Sequence, residues 1–143
     1  MARDPIRMLR TVRRHAVDQA RHVLATCLAA ETAAADRLRA IDAAAQRDRV
    51  ANQMVTEPHR FLDMFALRLQ ASAAERRAAE ANLAAAQADS ARARATLVDA
   101  RTAAKSVETL VVERLAAAEA DALRREQHAL DDMARGRFDT TES

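Results

Sequence analysis

The chain has 143 residues, with 23 basic against 21 acidic side chains and a formal net charge of +2. Ala fills 38 positions and Arg supplies 22 of the 23 basic ones, beside one Gly, two Pro, three Phe and no Trp or Tyr. Sheets need β-branched and aromatic faces with Gly or Pro turns between them, so β and α/β folds are excluded; this composition belongs to long helices or coiled coil.

The same inventory argues against an enzyme, because deep pockets are lined by bulky apolar and aromatic groups. The near balance of charge leaves no broad field for nucleic acid. A lone Cys27 cannot form an internal disulfide, which suits a reducing compartment. Uninterrupted apolar runs, such as Cys27 to Ala30 and Leu83 to Ala86, reach four residues. Neither a signal peptide nor a membrane span is built from that, and a cytoplasmic protein is expected.

The first helix is expected over about 4–55. Asp4 is its N-cap and Pro5 its first residue, where a missing N–H costs nothing. Apolar positions recur at Leu9, Val12, Ala16, Ala20, Val23, Cys27, Ala30, Ala34, Leu38, Ile41 and Ala45, a 3.6-residue period. Thr56-Glu57-Pro58 ends the pattern.

A bulky cluster follows, with Phe61, Leu62, Met64, Phe65, Leu67 and Leu69 close together. It predicts a short helical element within a tip at about 56–78, closed by packing on Val50, Met54 and Val55. Ser72-Ala73-Ala74-Glu75 reads as a capping box that opens the next helix.

That helix is expected over about 79–135. Its stripe is Leu83, Ala86, Ser90, Ala93, Leu97, Ala100, Ala104, Val107 and Val111, a heptad spacing. Beyond Val111 the apolar track relaxes through Leu115, Ala118, Ala122, Ala129 and Met133. Gly136 is expected as a left-handed C-terminal cap, with a loose tail at 136–143. Two helices of nearly equal length predict an all-α fold, a long antiparallel two-helix coiled-coil hairpin forming one domain over 1–143. In the predicted register the Arg-rich start, Met1 to His22, lies beside the acidic stretch Glu119 to Met133.

Chemistry-bearing constellations are sparse. His15 and His22 share a helix face but stand about 10 Å apart, too far to ligate one ion. Neither a Gly-rich phosphate loop nor a Ser/His/Asp set is recognisable, so no catalytic, metal or cofactor site is expected. Arg3, Arg7, Arg10, Arg13, Arg14 and Arg21 have no aromatic residues among them for base stacking. Phe65 and Leu69, one turn apart, have the spacing of anchors that dock a helix into a groove.

Two end segments carry a family resemblance. Near the start stands Leu9-(x3)-Arg13-(x6)-Ala20-(x3)-Leu24 with Ala30-Glu31. Near the end stands Arg125-Glu126-Gln127-(x2)-Leu130-Asp131-Asp132-Met133-Ala134, then Arg137-Phe138, with Asp132 where the family usually has Glu. With the overall layout, the chain resembles the flagellar FliJ family of the type III export apparatus and its injectisome relatives of the YscO type.

The resemblance implies a non-enzymatic stalk. Its joined terminal end would enter a hexameric flagellar export ATPase and promote assembly and activity. Its other end would contact the membrane export gate, and it would also handle export chaperones. Carried over, the ATPase-facing residues are Leu9, Arg13, Glu126, Gln127, Leu130, Asp131 and Asp132, and the gate-facing ones Phe61, Phe65 and Leu69. The implied location is cytoplasmic, peripheral to the inner membrane, with neither nucleic acid nor a small-molecule substrate as partner. The alternative is a generic helical scaffold or stator that self-associates through its Ala-rich seam.

Overall fold

A computed structural model describes residues 4–54 and 62–139. It contains two helices, α1 (Pro5–Gln53) and α2 (Leu62–Asp139), and has no strand among the described residues. The fold is all-α, with the two helices packed antiparallel as a hairpin. Asp4 caps α1 as its chemistry predicts: its carboxylate accepts from the Ile6 amide at 3.1 Å and its carbonyl from the Met8 amide at 3.2 Å. Asp63 in the first turn of α2 and Arg137 in its last complement the helix dipole.

The chain divides into two compact units, Ala16–Ala100 and Met1–His15 with Arg101–Ser143. In the first, Val17, Ala20 and Ile41 of α1 are buried, with Ala79, Ser90, Ala93 and Leu97 of α2. Cross-helix ion pairs flank this seam: Arg37–Glu75 at 2.8 Å, Arg76–Asp42 at 2.7 Å and Arg68–Asp48 at 3.0 Å. In the second unit Val107 is buried and Ile6 and Val111 are half-buried, and Glu108 receives Arg10 at 2.6 Å and Arg14 at 3.4 Å.

These pairs fix the register. In each of them the two residue numbers add to between 112 and 122. Within each unit, a residue of α1 therefore lies opposite the residue of α2 that brings the total to about 117. The predicted register would need about 137, so α2 is displaced by roughly five and a half turns.

The slip follows from where α2 starts. It runs unbroken from Leu62 through Ser72, so the expected tip element at 56–78 is mostly the first turns of α2, and the capping box does not act as a cap. Nothing in Leu62–Arg135 stops a helix: that stretch has neither Pro nor Gly, and Ala is the best helix former. At the other end α2 runs on to Asp139. Gly136 does not take positive φ and is not the predicted left-handed cap. The predicted contact of Met1–His22 with Glu119–Met133 is absent among the described residues.

The α2 stripe is placed as its heptad predicts, with all nine residues from Leu83 to Val111 buried or half-buried. The α1 stripe needs correction. Leu9, Val12, Val23 and Ala30 are exposed, while its other seven members, Ala16 included, are buried or half-buried; the protected track runs Ile6, Arg10, Val17, Ala20, Leu24, Cys27, Glu31, Ala34, Leu38, Ile41, Ala45 and Asp48, with Ala16, Ala35 and Ala44 beside it. That track has a 3.5-residue period, matching α2. A 3.6-residue track drifts by about 20° per heptad, so it leaves such a seam within a few turns.

Candidate partner-binding segments

Ala at the seam leaves open grooves where larger side chains would meet. One, of about 340 Å³, lies over Ile41, Ala44, Ala45, Ala71 and Ser72, bordered by the Arg37–Glu75 and Arg68–Asp48 pairs. Another, of about 410 Å³, is lined by Asp4, Ile6, Arg7, Arg10, Val111, Arg114 and Leu115. Both are open to solvent. Among the described residues there is no cluster of three His, Cys, Asp or Glu side chains fit for a metal ion, and no helix long and apolar enough to cross a membrane. Arg76 is held above its ordinary range, first by its hydrogen bond to Asp42, then by the charges of Asp42 and Glu80.

The register leaves α2 with an end that α1 does not cover. Pro5 lies opposite about residue 112, and every described residue from Val112 to Arg137 is exposed. This overhang runs to Asp139, roughly 40 Å at 1.5 Å per residue. Leu115, Leu123, Leu130 and Met133 on it are each about 60% exposed. One local ion pair on it is Arg124–Asp121 at 3.2 Å.

Glu126, Gln127, Leu130, Asp131 and Asp132 all stand on this overhang, exposed. Leu9 and Arg13 are also exposed, but their neighbours Arg10 and Arg14 bond Glu108. From Glu108 to Glu126 is eighteen residues of continuous helix, or about 27 Å. The seven predicted ATPase-facing residues therefore form two separate groups and not one patch.

Of the predicted gate-facing residues, Phe61 lies outside the described residues, Phe65 is half-buried and Leu69 is 42% exposed. Leu62, Met64 and Leu67 beside them are more than half exposed, as is Met54. Val50 is about half exposed. Among the described residues the cluster does not form the expected closed plug on Val50 and Met54; Val55, like Phe61, lies outside them. An apolar surface remains at this end, one turn or so from the Arg68–Asp48 pair.

Sequence reasoning missed the overhang, although a signal was present. The apolar run over Leu62–Leu69 has no breaker between it and the Ala-rich stretch that follows, so one long helix was available. It also missed two polar atoms at the seam. Ser90 is fully buried and its hydroxyl has no partner, and Glu31 Oε2 is buried without one.

No protein-family model, no curated protein and no solved structure matches the chain. Its membership of a family is therefore not shown, and what is established is a two-helix hairpin with one long exposed helical end.

Proposed function

We propose that the protein is a non-enzymatic stalk of a flagellar-type protein export apparatus, coupling a hexameric export ATPase to the membrane export gate and its chaperones. The observation that supports this reading is the overhang. The residues that resemble the family's closing motif, Glu126 to Asp132, sit exposed on a helical end that α1 does not cover, available to a ring-shaped protein. Many modest charged contacts on such an end give exchangeable, salt-sensitive binding. On this reading the ATPase contact centres on the overhang. Leu9 and Arg13 supply a second contact about 27 Å along the helix. Phe65 and Leu69, with the exposed Leu62, Met64 and Leu67, form the gate-facing surface.

The test is ATP hydrolysis by the cognate export ATPase, titrated with this protein while ring assembly is followed. The expected result is stimulation that disappears with Leu130→Asp. Leu130 is 62% exposed, so that change leaves the hairpin intact and reports the contact. Absence of stimulation at every ratio, with an ATPase able to form hexamers, would remove the reading.

A further inference from the structure

We infer that the groove of about 410 Å³ at the start of α1 is a docking site for an acidic amphipathic helix of a partner polypeptide. Its floor is apolar and continues the hairpin seam. Ile6 and Val111 are half-buried there, and Leu115, one turn further along α2, is 60% exposed. Its rims are cationic, with Arg7 and Arg10 on α1 and Arg114 on α2.

Charge singles this groove out. The groove over Ile41 is bordered by the Arg37–Glu75 and Arg68–Asp48 pairs, so both of its guanidiniums are already neutralised within the hairpin. At the start of α1 they are not. Among the described residues neither Arg7 nor Arg114 has a carboxylate partner, and one acid, Glu108, serves both Arg10 and Arg14. The single carboxylate lining the groove, that of Asp4, accepts from the Ile6 amide. Over residues 4–15 and 101–115, seven cationic side chains stand against three carboxylates, Asp4, Glu108 and Glu113. That segment is net positive by four in a chain whose total is +2, so the remainder is net negative.

The floor selects a helix as the occupant. It lies in line with the stripe along which α1 and α2 already pack, so a helix laid there extends an interface of the same kind. Apolar side chains of that helix would cover Val111 and Leu115, and carboxylates on its two flanks would face Arg7 and Arg114. A flat anionic bilayer would reach the guanidiniums but leave the half-buried floor uncovered. Contacts between exposed charges are individually weak, so the binding is modest and salt-sensitive.

The experiment titrates the purified full chain into a fluorescein-labelled peptide of about three heptads, with Leu at a and d and Glu at e and g. Repulsion between its own Glu residues keeps the peptide from pairing with itself. Fluorescence anisotropy should show saturable binding at low salt that weakens as salt rises, and the same peptide with Lys in place of Glu should not bind. Arg7→Glu and Arg114→Glu should each weaken binding roughly fivefold, as an attraction becomes a repulsion. Both residues are exposed, so far-UV circular dichroism of these variants should match the parent. Glu108→Gln should tighten binding about threefold, because it releases Arg10 and Arg14 to the peptide; a purely structural role for Glu108 would weaken it instead. Arg77→Glu, at an exposed arginine of the other unit, should change nothing. Absence of binding up to about 1 mM would overturn the proposal. So would binding indifferent to Arg7→Glu and Arg114→Glu, or lowered as much by Arg77→Glu. Retention on vesicles of phosphatidylglycerol and phosphatidylcholine, without capture of the peptide, would overturn it too. The inference does not rest on the stalk reading, and these titrations contain no ATPase, so their failure leaves that reading standing.

Discussion

Ser90→Ala should stabilise the Ala16–Ala100 unit. Ser90 is fully buried at the seam, and its hydroxyl finds neither a donor nor an acceptor. Other hydroxyls on these helices bond the carbonyl four residues back: Thr96 to Arg92 at 3.1 Å, Ser106 to Thr102 at 3.0 Å, and Thr109 to Lys105 at 3.0 Å. Ser90 does not. Burying an unpartnered hydroxyl costs about 1–3 kcal/mol, and Ala adds about 0.5 kcal/mol of helix propensity over Ser. Losing one oxygen opens a gap smaller than a water and returns a few tenths. The net gain is about 1–2 kcal/mol. It would be read from urea and thermal unfolding followed at 222 nm, as a higher midpoint with an unchanged urea slope, each kcal/mol raising Tm by roughly 4–8 °C. Ser106→Ala, at an exposed and bonded hydroxyl, is the control and should change stability by less than about 0.5 kcal/mol. A lower midpoint for Ser90→Ala would refute the reasoning, since it would mean the hydroxyl is satisfied in solution.

Glu108→Gln removes the shared acceptor of Arg10 and Arg14, but both sides are 40% exposed or more. A loss of only about 0.5–1 kcal/mol is expected, shrinking further in high salt, as denaturant titrations at two ionic strengths would show. Arg76 has its folded pKa raised, so its contribution is complete below the unfolded value and fades only as pH rises past the guanidinium range. Its contact with Asp42 should therefore give no pH dependence from neutrality to about pH 10, and a stability difference between Arg76→Gln and the parent that shrank over that window would contradict it. Dilute protein treated briefly with trypsin should be cut within α2 first at Arg124, Arg125 or Arg135 on the overhang, before Arg76 or Arg92, as mass spectrometry of the fragments would establish.

The second helix's seam can be read directly from residues, because Leu83 to Val111 keeps a strict heptad and the packing obeys it. The first helix's seam is less legible. Its Ala residues fill several faces, so Leu9 and Val12 define an apparent stripe while Ile6, Arg10 and Glu31 occupy the real one. Only the partner's period selects between them. Register is harder still, since Ala layers are nearly interchangeable and flanking charges offer several plausible alignments. An assumption of equal helix lengths then moved α2 by more than five turns and hid the overhang that now carries the candidate site. The motif at Glu126–Asp132 was visible as residues, but its isolation from Leu9 and Arg13 was not.

A seam in which Ala is the commonest residue has a calorimetric consequence. Ala loses no rotamer freedom on burial and also removes little apolar surface from water, so both the gain and the cost per layer are small. The heat-capacity change of unfolding scales with that surface. The stability curve of this hairpin should accordingly be shallow, with a broad heat-melting transition and a cold-melting limit displaced far below freezing. Such a fold changes little in cohesion across the whole range of temperatures at which a cell lives.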